Sequence, residues 1–168
     1  YLPNWRKSIN YKHSNTAKKK YGGGILLELS HEIDYLQLLF GKIKKIKSSN
    51  IGKISNLRIN TEDYALLTGE TKKTNFNIDL NYFSKNNQRL IIANGNDLTI
   101  RCDLINNTIN ILRKNKNKII RFKNSENYSY KTQHNLILKN KSEQLCNLNE
   151  GLQILKIIDK IRTRKLNV

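Results

Sequence analysis

At Gly41 the spacing of apolar residues changes, and with it the kind of structure the chain can form. Before it, Ile25, Leu29, Ile33, Leu36 and Phe40 recur at steps of four and three. That is an amphipathic helical stripe over residues 22–41, which Gly41 is placed to stop. From residue 42 to about 123 the period is two. "KIKKIKSS" reads as a short basic strand, followed by "EDYALLTGE" and by "TNFNIDLNYFS" with Phe76, Ile78, Leu80 and Tyr82 on one face. "RLIIANGNDLTIRCDL" carries Asn94-Gly95, a strong hairpin signal, and "TINILRKNKNKIIRFK" gives a further pair turning around Asn115 to Asn117. A helical period returns in "NLNEGLQILKIIDKIRTRK", residues 147–165. There Asn147 can cap with Glu150 three residues on, Leu148, Leu152, Leu155 and Ile158 read as the core face, and Arg162, Arg164 and Lys165 sit where the helix dipole favours cations.

This pattern predicts an α+β fold. An open, mainly antiparallel β-sheet of about six to eight strands should carry the helices packed on one face. One domain over 1–168 is expected: a polar arm at 1–21, a helix at 22–41, the sheet at 42–123 and the last helix at 147–165. The chain has no methionine and starts on Tyr1, which reads as a segment of a longer protein. Its apolar stretches are too short to span a bilayer, and residues 1–20 hold no secretory leader, so no membrane partner is expected. The two cysteines, Cys102 and Cys146, form no CxxC, and a cytoplasmic location is expected.

A net charge of +18 raises nucleic acid as a partner. The lysines, however, accompany Asn and Ile evenly through every segment, with little Ala, and are not gathered with Arg and aromatics for base stacking. A basic nucleic-acid-binding domain is therefore the third reading, and no nucleic-acid partner is expected. No His, Cys or carboxylate cluster has metal spacing.

The stretch "GGGILLELSHEIDYLQLLFG" holds Glu28, His31, Glu32 and Asp34 inside one helical pattern. On a helical wheel His31 lies opposite the core stripe and shares its face with Leu27, Glu28, Tyr35 and Leu38. A face so apolar wants cover, from packing or from a ligand. The bland alternative is a surface histidine beside a helical carboxylate. Three consecutive glycines cost conformational entropy and serve where backbone approaches backbone or ligand closely. They are no dinucleotide fingerprint, since no strand precedes them.

With these residues in view, Gly22 to Gly41 resembles the signature of the C-terminal domain of the Gfo/Idh/MocA oxidoreductases, which include glucose–fructose oxidoreductase and inositol dehydrogenase. The signature is a glycine run, an apolar pair, an acidic residue, a histidine, an Ile-Asp and a closing "FG". "YLPNWR" with Tyr11, "EDYALL", "NGNDLTI" and "LNEGLQILKIIDKI" match later family elements in order, so the resemblance covers nearly the whole chain. It implies the substrate-binding C-terminal domain of an NAD(P)-dependent oxidoreductase acting on a sugar, nucleotide-sugar or cyclitol. NAD or NADP would be bound mainly by an N-terminal Rossmann domain, which is missing here together with its "EKP" lysine. This fragment alone is expected to be inactive.

By the same resemblance His31 is the proton-transfer residue. Glu28 is a second catalytic candidate, although the family carboxylate often falls four residues before the histidine, where this chain has Leu27. Trp5, Arg6 and Tyr11 are candidates for substrate contacts, an aromatic face for a sugar ring and a guanidinium for a carboxylate or phosphate. The family also implies a homo-oligomer through the sheet face. The runner-up reading is a non-catalytic binding or assembly module of the same fold. Asp34 and Tyr35 read as structural and His134 as a surface residue, and His13 has no partner in sequence.

Overall fold

The structure, a computed structural model, describes residues 1–5, 8–114, 116–125 and 127–163. The chain is α+β, with seven strands among the described residues, all paired antiparallel, and it divides into two compact units. The first comprises residues 1–85 together with the segment from Cys146 onward; the second spans Asn86–Leu145. The seven strands fall within the expected number, split into one sheet in each unit.

In the first unit β1 (Ile43–Gly52), β2 (Tyr64–Thr71) and β3 (Asn75–Asn81) pair in the order β1-β2-β3. Central β2 shows the period-two pattern most plainly: Ala65, Leu67 and Thr71 are buried, Leu66 and Thr68 exposed. Edge strand β1 carries exposed Lys44, Lys45 and Lys47 and two register shifts, features that discourage edge-to-edge pairing. Between β1 and β2, fully buried Asp63 accepts from the Ile54 and Ser55 amides at 2.9 and 3.1 Å and from the Ser55 hydroxyl, so the connecting loop folds around a satisfied carboxylate.

The expected helix at 22–41 is two helices, α1 (Ile25–Glu28) and α2 (Ser30–Phe40), separated at Leu29 by φ −107° and ψ 27°. Ile25 and Ile33 from the two pieces are both fully buried, as the stripe requires. Gly41 ends α2 at φ +84°, its amide donating to Gln37 O at 2.8 Å.

The last helix is designated α4 (Leu148–Thr163), and its N-terminus forms the reciprocal cap read from sequence. Asn147 N donates to Glu150 Oε2 at 2.9 Å and Glu150 N to Asn147 Oδ1 at 3.0 Å. Its core face differs from expectation. Ile154, Ile158 and Ile161 are buried, while Leu148, Leu152 and Leu155 are exposed. The helix carries two apolar stripes, and the isoleucine stripe is the one that joins the core. Arg164 and Lys165 lie outside the described residues.

The arm is not a loose extension. Short 3-10 turns at Leu2–Asn4, Tyr11–His13, Asn15–Ala17 and Lys19–Tyr21 lay it on the unit, Leu2 and Ala17 are buried, and Leu2 N donates to Tyr82 O at 2.9 Å. The core thus joins arm, α1, α2, β2, β3 and α4 in one apolar cluster.

The second unit is a meander of β4 (Leu90–Asn94), β5 (Thr99–Asp103), β6 (Thr108–Arg113) and β7 (Lys116–Arg121), followed by α3 (Tyr128–Leu138), a helix the sequence reading did not foresee. Asn94 pairs with Thr99 across the expected hairpin, and Gly95 N donates to Leu98 O at 2.7 Å. The β6–β7 turn, the other one expected, closes between paired Arg113 and Lys116, ahead of Asn117, which pairs with Leu112; Asn115 lies outside the described residues. One face of this sheet aligns Ile91, Cys102, Ile109 and Ile120, and beside them Ala93, Ile100 and Ile111. All seven are half-buried, and no described residue of this unit belongs to the fully buried apolar set.

Candidate functional site

The glycines place the site, and their surroundings explain why glycine is needed. Gly24 caps α1 at φ +114°, a conformation L side chains rarely adopt. A Cβ there would collide with the Glu62 carboxylate and the Arg162 guanidinium; at Gly23 it would meet the Asn15 and Thr16 backbone. Gly23 N donates to Lys18 O at 3.1 Å and Gly24 N to Thr16 O at 3.2 Å. Ile25 N donates to Glu62 O at 3.3 Å. The turn is therefore packed against protein on every side these bonds define. No amide of Gly23 or Gly24 is left to cradle a phosphate, so the glycine run does not fit a dinucleotide, as expected without a preceding strand.

Arg162 completes this arrangement from α4. Its Nη2 donates to Gly23 O at 2.9 Å and its Nε to Glu62 Oε1 at 3.0 Å, and Nη2 also pairs with the same oxygen. The pair is largely withdrawn from water, the two side chains being 25% and 14% exposed.

Glu28 and His31 do not meet through a mutual bond. Thr16 Oγ1 donates to Glu28 Oε1 at 2.7 Å, tying the arm to the end of α1. His31 lies two residues past the break, in the first turn of α2, with its side chain 48% exposed and Nε2 3.2 Å from Glu32 Oε1. Of the neighbours expected on its face, Leu27 and Tyr35 are half-buried and Leu38 is 82% exposed. Asp34 Oδ1 lies 4.0 Å from the Cys146 sulfur. Partial burial, then the Asp34 and Glu150 carboxylates, push the Cys146 thiol up.

Trp5 and Tyr11 share a hollow with Leu2, Ile9, Ser14 and Thr16, of about 10 Å³. That holds one water and no sugar ring. Trp5 stands edge-on to Tyr82 at 5.3 Å and is 42% exposed; the Tyr11 hydroxyl accepts from Arg58 N at 3.3 Å. Arg6 lies outside the described residues. Tyr82 is fully buried and its hydroxyl has no hydrogen-bond partner among the described residues. Burial raises its pKa, with the charges of Glu28 and Glu62 adding and that of Arg162 opposing.

A feature the sequence reading missed is an open groove of about 330 Å³ between α1 and α4, where Leu27, Leu152, Leu155 and Ile158 meet Lys156, Asp159 and Arg162. Its signal was the second apolar stripe of α4. His13 and His134 are exposed, the latter as expected. Among the described residues no group of three or more His, Cys, Asp or Glu could hold a metal ion, and no helix is long and apolar enough to cross a membrane.

Similar proteins agree with this architecture. The biliverdin reductase of Synechocystis sp. PCC 6803, solved with biliverdin and NADP+, superposes with a TM-score of 0.64 at 14% identity, over 89% of this chain and 49% of that one. The oxidoreductase yvaA of Bacillus subtilis gives 0.57 at 18% identity over 83% and 48%. An oxidoreductase from Agrobacterium radiobacter, solved with NAD+, L-tartaric acid and magnesium, gives 0.53 at 19% over 62% and 31%. At these identities the likeness is one of fold, and the chain spans 31–49% of the length of these structures. No curated protein sequence matches the chain. The family described as "Oxidoreductase family, C-terminal alpha/beta domain" matches residues 4–164. The chain therefore belongs to the Gfo/Idh/MocA oxidoreductases, as their C-terminal domain.

Proposed function

We propose that the chain is the substrate-side domain of an NAD(P)-dependent oxidoreductase acting on a sugar, nucleotide-sugar or cyclitol, with His31 as its proton-transfer residue. The observation that carries this reading is the placement of His31. It stands exposed at the start of α2, on a backbone fixed by the glycine turn, with a carboxylate 3.2 Å from Nε2. An imidazole so held can take a proton from a substrate hydroxyl or return one to a carbonyl oxygen. The nicotinamide cofactor supplies the hydride chemistry and would be held by a preceding domain. Trp5, Arg6 and Tyr11 are the candidates for substrate contact, and Glu28 holds the arm through Thr16.

In the full-length enzyme, His31→Ala should bind NAD(P) normally and turn over slowly. Wild-type turnover would sink the mechanism while leaving the family membership standing. The fragment alone should be inactive and should bind neither nucleotide; micromolar binding in a calorimeter would contradict this.

A second reading, an assembly role, is favoured by the half-buried isoleucine face of β4–β7. It would be covered by the same face of another copy in a homo-oligomer. A monomer by analytical ultracentrifugation at micromolar concentration would end it. A cytoplasmic location fits the two free thiols. The scattered lysines argue against nucleic acid as partner; sequence-selective, submicromolar DNA binding at physiological salt would reverse that.

A further inference from the structure

We infer that Arg162, supported by Glu62, is a positioning residue for His31. The inference rests on the role proposed for His31 and adds to it a residue 131 positions away that no motif marks.

His31 is exposed, so little packing of its own ring holds it, and its aim is set by the backbone that carries it. That backbone begins at the glycine turn. Leu2, Ala17, Ile25 and Ile33 anchor the surrounding elements through apolar contacts, which fix position but are non-directional. Besides the Lys18 and Thr16 carbonyls that take the Gly23 and Gly24 amides, the directional contacts that tie the turn to the start of α1 come from Glu62 and Arg162. Glu62 takes the first helical amide, Ile25 N, on its backbone oxygen and Arg162 on its carboxylate. Arg162 in turn donates to Gly23 O. One guanidinium thus joins a carbonyl before the helix to the residue that caps its first amide. A planar fork satisfies both at fixed angle, which a lysine ammonium does not. Gly24 is required for the same reason, since a side chain there would displace the ion pair. The break at Leu29 leaves α1 only four residues long, and a helix this short has no stiffness of its own to hold direction. An external clamp at its start compensates.

The test is a double-mutant cycle in the full-length enzyme, with turnover expressed per bound NAD(P). Arg162→Gln should lower kcat about tenfold with the KM for NAD(P) within about twofold, the signature of a displaced reacting group. Arg162→Lys should recover part of the loss. In the His31→Ala background Arg162→Gln should lower kcat no further, because its effect passes through His31. A merely structural role would lower Tm without that non-additivity. If Arg162→Gln does not fold, Arg162→Lys and Glu62→Gln carry the same cycle. Wild-type kcat in the Arg162 variants beside a slow His31→Ala would overturn this inference and spare the proposed function. An undiminished further loss in the His31→Ala background would overturn it equally. Wild-type kcat in His31→Ala would remove both.

Discussion

Thr16 donates its hydroxyl to Glu28 at 2.7 Å, so the carboxylate three residues before His31 is engaged with the arm and not with the histidine. Glu28→Gln keeps an acceptor oxygen for Thr16. It should change kcat of the full-length enzyme by less than about tenfold, well below the loss for a positioned acid or base. Glu28→Ala leaves the buried Thr16 hydroxyl unpaired and should cost about 1–3 kcal/mol in denaturant unfolding.

His31→Ala should lower kcat by roughly 10²–10⁴. The side chain is half exposed and outside the core cluster, so unfolding free energy should move by under ~1 kcal/mol. A stable, slow enzyme that retains NAD(P) is the expected outcome, checked by steady-state kinetics beside thermal unfolding.

Gly24→Ala meets two costs at once. The residue needs φ +114°, and the new methyl would collide with Glu62 and Arg162. Backbone strain alone is worth about 1–3 kcal/mol, and disrupting a shielded ion pair adds to it. A loss of at least ~3 kcal/mol is expected from chemical denaturation; a shift below ~1 kcal/mol would mean that the turn relaxes freely.

Tyr82 offers the opposite case. Its buried hydroxyl has no partner among the described residues, so Tyr82→Phe should leave stability unchanged or raised by up to about 1 kcal/mol. Tyr82→Ala opens a cavity against Leu2 and Trp5 and should cost about 3–5 kcal/mol.

The Cys146 thiol should alkylate slowly for an exposed cysteine. Partial burial and the carboxylates of Asp34 and Glu150 disfavour the thiolate, so less of it is present at pH 8 than an ordinary thiol would supply. Removing one negative charge in Asp34→Asn lowers the pKa and should speed iodoacetamide labelling at that pH. Equal rates in the two proteins would mean that Asp34 does not act on the thiol.

Much of the architecture was legible because its signals are local. Period two, the Asn94-Gly95 turn, the stop at Gly41 and the Asn147–Glu150 cap each reside in a few adjacent residues. The core face of α4 was not. Its two apolar stripes lie about 120° apart on a 3.6-residue helix, and nothing local says which will be covered. The break at Leu29 occurs in a run of helix-compatible residues, with no local signal to mark it. The Arg162–Glu62 clamp joins residues 100 positions apart, beyond any spacing rule. Tyr128–Leu138 lacks a clean apolar stripe, and its helix went unread for that reason.

The absence of fully buried side chains among the described residues of the β4–β7 unit has a kinetic consequence. Amide protection tracks the free energy of the opening that exposes each bond, and openings are cheapest where little apolar area is lost. Amides of β2, flanked on both sides and backed by Ala65 and Leu67, should exchange only on global unfolding. Those of β4 to β7 should exchange sooner, through a sub-global opening that leaves the first unit folded. Each event would briefly bare paired rows of isoleucine, making this meander the place where the isolated chain first becomes prone to self-association on warming.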